Sequence, residues 1–107
     1  MVSSPETIRQ KITQLVKIGE VDDAARLAEA EGLLEEALEL YKKAKDHRSR
    51  GRIYEKLGQL EKALSVYEEG KLYDLAAGVA EKLGLKEKAS ALYVKHQKAV
   101  GQYQFVR

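Results

Sequence analysis

The sequence contains no cysteine, no tryptophan and no asparagine, and its 107 residues include a single proline, at position 5. Without cysteine there are no disulfides, no thiol nucleophile and no thiolate metal site, a composition that fits a reducing compartment. Segments of β-branched alternation are missing too, so no strand is expected and the fold class reads as all-α. No apolar run approaches the roughly 20 residues of a membrane span, and the N-terminus lacks a signal-peptide core, so the expected address is the cytoplasm, with no membrane partner. The lack of asparagine, tryptophan and cysteine beside 34% charged residues is a bias of proteins from hot environments. Against these absences stand 44% hydrophobic residues, enough for one domain over residues 1–107 to bury a continuous core.

What is present is a repeat. Sliding the sequence by 26 residues aligns Gly32, Gly58 and Gly84, Ala37, Ala63 and Ala89, and Tyr41, Tyr67 and Tyr93. Two glutamate columns align as well, Glu29, Glu55, Glu81 and Glu35, Glu61, Glu87. At about 7% usage per residue type, a three-way identity arises by chance in roughly 0.5% of columns, so composition alone does not produce five. A column of small residues, Ala25, Gly51 and Ala77, lets two helix backbones approach closely. The central copy, Arg50 to Gly70, shows the unit. Ile53, Tyr54 and Leu57 form one helical stripe, Leu60, Ala63, Leu64 and Tyr67 form a second, and Gly58 between them is the expected left-handed stop. Each unit is therefore a hairpin of two short helices, and such units stack.

Gly51, Tyr54, Gly58, Ala63 and Tyr67 stand in the order and spacing of the tetratricopeptide (TPR) signature, with Gly70 where that family usually has alanine. The chain resembles this family over roughly residues 20–98, with departures. His47 and Arg50 stand where the family prefers an aromatic and a leucine, the inter-repeat proline is missing, and the period is 26 rather than 34. The shorter hairpins are equally similar to the helical solenoid segments of coat and trafficking proteins. The resemblance implies a TPR-like α-solenoid, a right-handed stack of about seven short antiparallel helices. Its repeats would fall at about 20–45, 46–71 and 72–98, after an N-terminal helix and before a tail at 101–107.

Along the chain, Ser3 or Ser4 caps a first helix with the stripe Ile8, Ile12, Leu15 and Val16, and Glu6 completes a capping box with Ser3. Gly19 stops it, and Gly32 follows 13 residues later, half the repeat. The third helix is expected near 33–44, the sixth near 72–83 and the seventh near 86–99, ended by Gly101. Lys86, Lys88, Lys95 and Lys98 give that last helix the solvated face of a terminal cap.

Chemistry-bearing constellations are few. His47 and His96 lie far apart with no ligand spacing around them, so neither reads as a metal ligand. No serine sits on a nucleophile turn and no glycine-rich loop follows a strand, so an enzyme is the least supported class and no cofactor is expected. The densest charge run is Lys42, Lys43, Lys45, Arg48, Arg50 and Arg52, opposed only by Asp46. Nucleic-acid binding through this 42–52 run is the weaker reading, because it straddles a helix end and has no interleaved aromatics. Tyr41, Tyr67 and Tyr93 read as core.

By the TPR resemblance, the first helix of each hairpin lines a concave groove. The matching positions are Asp22, Arg26 and Glu29, then Arg48, Arg52, Glu55 and Lys56, then Asp74, Glu81 and Lys82. This mixed surface suits a protein or peptide partner, including an acidic segment. The bland alternative is a solvated face with Arg26/Glu29 and Arg52/Glu55 as i, i+3 pairs. The leading expectation is thus a non-enzymatic interaction module, a scaffold for other proteins. The runner-up is homo-oligomerisation through an end of the stack or through Tyr103, Phe105 and Val106 of the tail.

Overall fold

The computed structural model describes residues 5–104, with side chains from 6 to 101. The capping serines and the apolar tail residues Tyr103, Phe105 and Val106 thus fall, as side chains, outside the described residues. Seven helices and no strand occur among the described residues. They are α1 (Pro5–Lys17), α2 (Val21–Ala30), α3 (Leu34–Lys43), α4 (His47–Lys56), α5 (Leu60–Glu69), α6 (Tyr73–Lys82) and α7 (Lys86–Gln104). Five of the seven have 10 residues, which makes them roughly 15 Å long.

The chain forms two compact units, residues 1–46 and 47–107. In the first, α1 packs on α2 and α2 on α3; Ile8, Ile12, Ala24, Ala25, Ala28, Ala37, Leu40 and Tyr41 are buried there. In the second, α4 through α7 pack in chain order around Ala63, Leu64, Tyr67, Ala76, Ala77, Val79, Ala80, Ala89 and Leu92. Side chains tie alternate helices within each unit, Arg9 of α1 to Glu36 of α3, Glu55 of α4 to Lys82 of α6, and Glu68 of α5 to Lys88 of α7. Long charged side chains thus reach across alternate helices within a unit, while close backbone packing is between consecutive helices.

Backbone geometry, not side-chain caps, makes the turns. The residues preceding α2, α3, α5 and α6, namely Glu20, Leu33, Gln59 and Leu72, give no side-chain cap hydrogen bond. Each turn instead closes from the preceding helix, as where the Leu33 N–H donates to Ala28 O at 2.8 Å and the Gly32 N–H to Glu29 O at 3.0 Å. This is a Schellman closure, and it needs one residue in the left-handed region. Gly19, Gly32, Gly58 and Gly84 supply it, with φ of +87°, +77°, +74° and +78°. Lysines supply the other two, Lys45 at φ 59° and Lys71 at φ 58°. All six positions fall on one 13-residue grid, so the backbone repeats per helix while the side chains repeat per hairpin. Gly70 is not the left-handed residue of its turn; a Cβ there would meet the His47 Cβ at 2.5 Å.

A Cβ in the left-handed region costs roughly 1–2 kcal/mol, against about 0.5–1 kcal/mol for the added backbone freedom of glycine. Lys71→Gly is therefore expected to raise stability by up to about 1 kcal/mol, read as a shift in the urea midpoint at unchanged slope. A lower midpoint would mean that Lys71 contributes a contact the turn depends on.

Two expectations need correction here. Gly101 does not end the last helix, because α7 continues to Gln104 through both Gly101 and residue 97, where the next turn of the grid would fall. Tyr93 is not core. Tyr41 and Tyr67 are each 2% exposed, but Tyr93 is 42% exposed, because no described helix follows α7 to cover it.

Candidate interaction surface

The α4 sequence HRSRGRIYEK distributes its basic residues by helical phase. Arg48, Arg52 and Lys56 recur at i, i+4 and i+8, so they share one side of the helix, and all three are exposed. Arg50, two residues from each arginine, points elsewhere. Its side chain is only 13% exposed, its guanidinium lies 3.9 Å from the Glu69 carboxylate of α5, and its buried Nε has no partner. Lys42, Lys43 and Lys45 of the run belong to the first unit, and of its three arginines in α4 only Arg48 and Arg52 stay together.

Beside that stripe, Glu55 is half-buried and receives two donors. The Tyr67 hydroxyl of α5 donates to Glu55 Oε2 at 2.7 Å, and Lys82 Nζ of α6 donates to Oε1 at 2.9 Å. The other hairpins repeat the first of these bonds. Tyr41 donates to Glu29 at 2.9 Å, and Tyr93 donates to Glu81. The glutamate and tyrosine columns, twelve residues apart, are therefore one device, in which each phenol is bonded to the opposite helix of its own hairpin. Sequence reasoning assigned the glutamates to a groove and the tyrosines to the core and did not join them. The signal was present in two invariant columns at a constant spacing.

The protonation equilibria follow. Burial raises the Glu55 pKa, but the hydrogen bonds from Tyr67 and Lys82 together with the Lys82 charge outweigh it, and the carboxyl ends below its ordinary 4.5. Burial, then the bond to Glu55 and its charge, push the Tyr67 phenol well above its usual range, while Arg48 and Arg52 act in the opposite sense. Tyr93 is raised first by its bond to Glu81. Since the folded Glu55 value is depressed, its stabilising contribution is complete above its ordinary value and is lost as pH falls through the lower folded one. Between about pH 5 and pH 3 the melting temperature is expected to fall less steeply in Glu55→Gln than in the parent chain. Parallel curves would show that Glu55 does not carry that acid sensitivity.

Of the remaining candidates, Arg26 donates to Asp23 at 2.8 Å, an exposed i, i+3 pair worth at most about 1 kcal/mol. Arg26 and Glu29 lie in the first unit and Arg48, Arg52, Glu55, Lys56, Glu81 and Lys82 in the second. Among these the structure brings Glu55 and Lys82 together, next to the stripe of Arg48, Arg52 and Lys56. On α7, the lysines expected to form a solvated face are exposed, and two of them also make contacts: Lys88 lies 3.3 Å from Glu68 and Lys95 stands 5.6 Å over the Tyr73 ring. Among the described residues no group of three or more histidines and carboxylates could hold a metal, and no helix is long and apolar enough to cross a membrane.

No protein-family model, curated protein or solved structure matches this chain.

Proposed function

We propose that this chain is a non-enzymatic protein-binding module, a TPR-like solenoid of short helical hairpins whose α4 face holds an extended, acidic segment of a partner. The observation that carries this reading is the exposed stripe Arg48, Arg52, Lys56, flanked by Lys82 on Glu55. Residues four apart on a helix are separated by about 6 Å along its axis, and alternate residues of an extended chain by about 6.6–6.8 Å. Carboxylates at every second position of an extended segment therefore come into step with the stripe. Guanidinium groups pair carboxylates with two parallel hydrogen bonds, so Arg48 and Arg52 are the anchors and Lys56 a point charge beyond them. A nucleic-acid backbone is the poorer fit, since Arg50 leaves the stripe for Glu69 and the Glu55 carboxylate lies beside it.

The test is fluorescence anisotropy with a labelled peptide bearing glutamates at alternate positions. Arg48→Glu/Arg52→Glu is expected to weaken binding at least about tenfold while leaving the fold intact by circular dichroism, and added salt to weaken the parent chain alike. Equal affinity in the variant, or tighter binding of a single-stranded RNA of the same charge, would reject the reading.

A further inference from the structure

Helix α7 has a side that nothing described in the protein covers. Ala89 and Leu92 are buried towards the core, and Lys88 and Lys95 are drawn to Glu68 and Tyr73. On the side facing away from Ala89 and Leu92 lie Glu87, Ala91, Val94 and Lys98, all exposed, with Val94 at 52%. Their spacing of i, i+4, i+7 and i+11 keeps them on one stripe about 16 Å long. Neither Glu87 nor Lys98 has an ion-pair partner among the described residues. Ser90, another small exposed residue, borders the stripe.

The order along this stripe, acid, small, apolar, base, is complementary to itself when reversed. Two such helices laid antiparallel put Ala91 of each against Val94 of the other, and Glu87 of each against Lys98 of the other, so both charges are answered at both ends. The small side chains at 90 and 91 let the backbones come close. A contact of this kind is isologous and closes at two copies. Stacking α7 of one copy on α1 of another is less favourable, because the exposed side of α1 carries Arg9, Lys11 and Lys17, and Lys98 would meet like charge.

We propose that α7 is a self-association surface, and that its occupant is α7 of a second copy of this chain in antiparallel register, centred between Ala91 and Val94. This surface lies on the last helix and is independent of the α4 stripe, so a dimer and a bound acidic segment are compatible.

Light scattering on the full chain across concentration tests it. The mass is expected to rise from 12.0 kDa towards twice that value. Glu87→Lys or Lys98→Glu alone sets like charges against each other and is expected to move the midpoint at least about tenfold higher in concentration. The double variant Glu87→Lys/Lys98→Glu restores opposite charges and is expected to return it to near the parent value. All four positions are exposed, so circular dichroism should be the same throughout. A parent chain that stays at 12.0 kDa to millimolar concentration, or single variants that dimerise as the parent does, would overturn the proposal.

Discussion

Replacing Tyr67 with alanine is expected to lower the stability of the chain by about 3–5 kcal/mol, the range for deleting a large buried aromatic. The ring is 2% exposed and shares a core with Ala76, Ala77 and Ala80 of α6, while its hydroxyl satisfies Glu55. Truncation removes the ring from between α4 and α6 and leaves a half-buried carboxylate with one donor fewer. Urea denaturation measures the loss, and Tyr93→Ala supplies the internal control. Tyr93 holds the same place in its hairpin and makes the same bond to a glutamate, yet is 42% exposed, so its removal should cost clearly less. Equal losses at the two positions would show that the hydroxyl bond, and not burial, gives the column its value.

The second large effect belongs to the residue the Tyr67 ring rests on. A Cβ at Gly51 would lie 2.1 Å from Tyr67 Cε1 and 2.5 Å from Cδ1 and Cζ, and the ring is held at its far end by Glu55. Gly51→Ala is therefore expected to destabilise by about 1–3 kcal/mol, although alanine is the better helix former by roughly 1 kcal/mol. In a Tyr67→Ala background the obstacle is gone, and the same substitution should become stabilising by roughly that propensity difference. A cost that is the same in both backgrounds would place the clash elsewhere. The corresponding residues Ala25 and Ala77 are fully buried with their methyl groups, so the closest approach is particular to α4 and α5.

These residues also mark what was legible beforehand. Gly19, Gly32, Gly58 and Gly84 announce their turns because glycine at the end of an apolar stripe has a backbone meaning of its own. Lys45 and Lys71 adopt the same conformation silently, since lysine carries no such signature, and only the 13-residue spacing points to them. Gly101 misleads in the opposite sense, because a glycine inside a helix costs only about 1 kcal/mol and α7 runs through it. Tyr41, Tyr67 and Tyr93 are identical in sequence, but burial is a property of the neighbouring helices, and no described helix follows the one that carries Tyr93. The basic run reads as one cluster along the chain, while a step of two residues on a helix turns Arg50 away from Arg48 and Arg52. The Tyr–Glu pairs were visible as columns and became bonds only once each hairpin closed.

The most direct test of binding at the α4 face is a nuclear magnetic resonance titration of the full chain with the alternating-glutamate peptide. The expected result is that shifts concentrate at Arg48, Arg52, Lys56 and Lys82 and saturate together. Shifts confined to α1 or α7, or none at millimolar peptide, would contradict it.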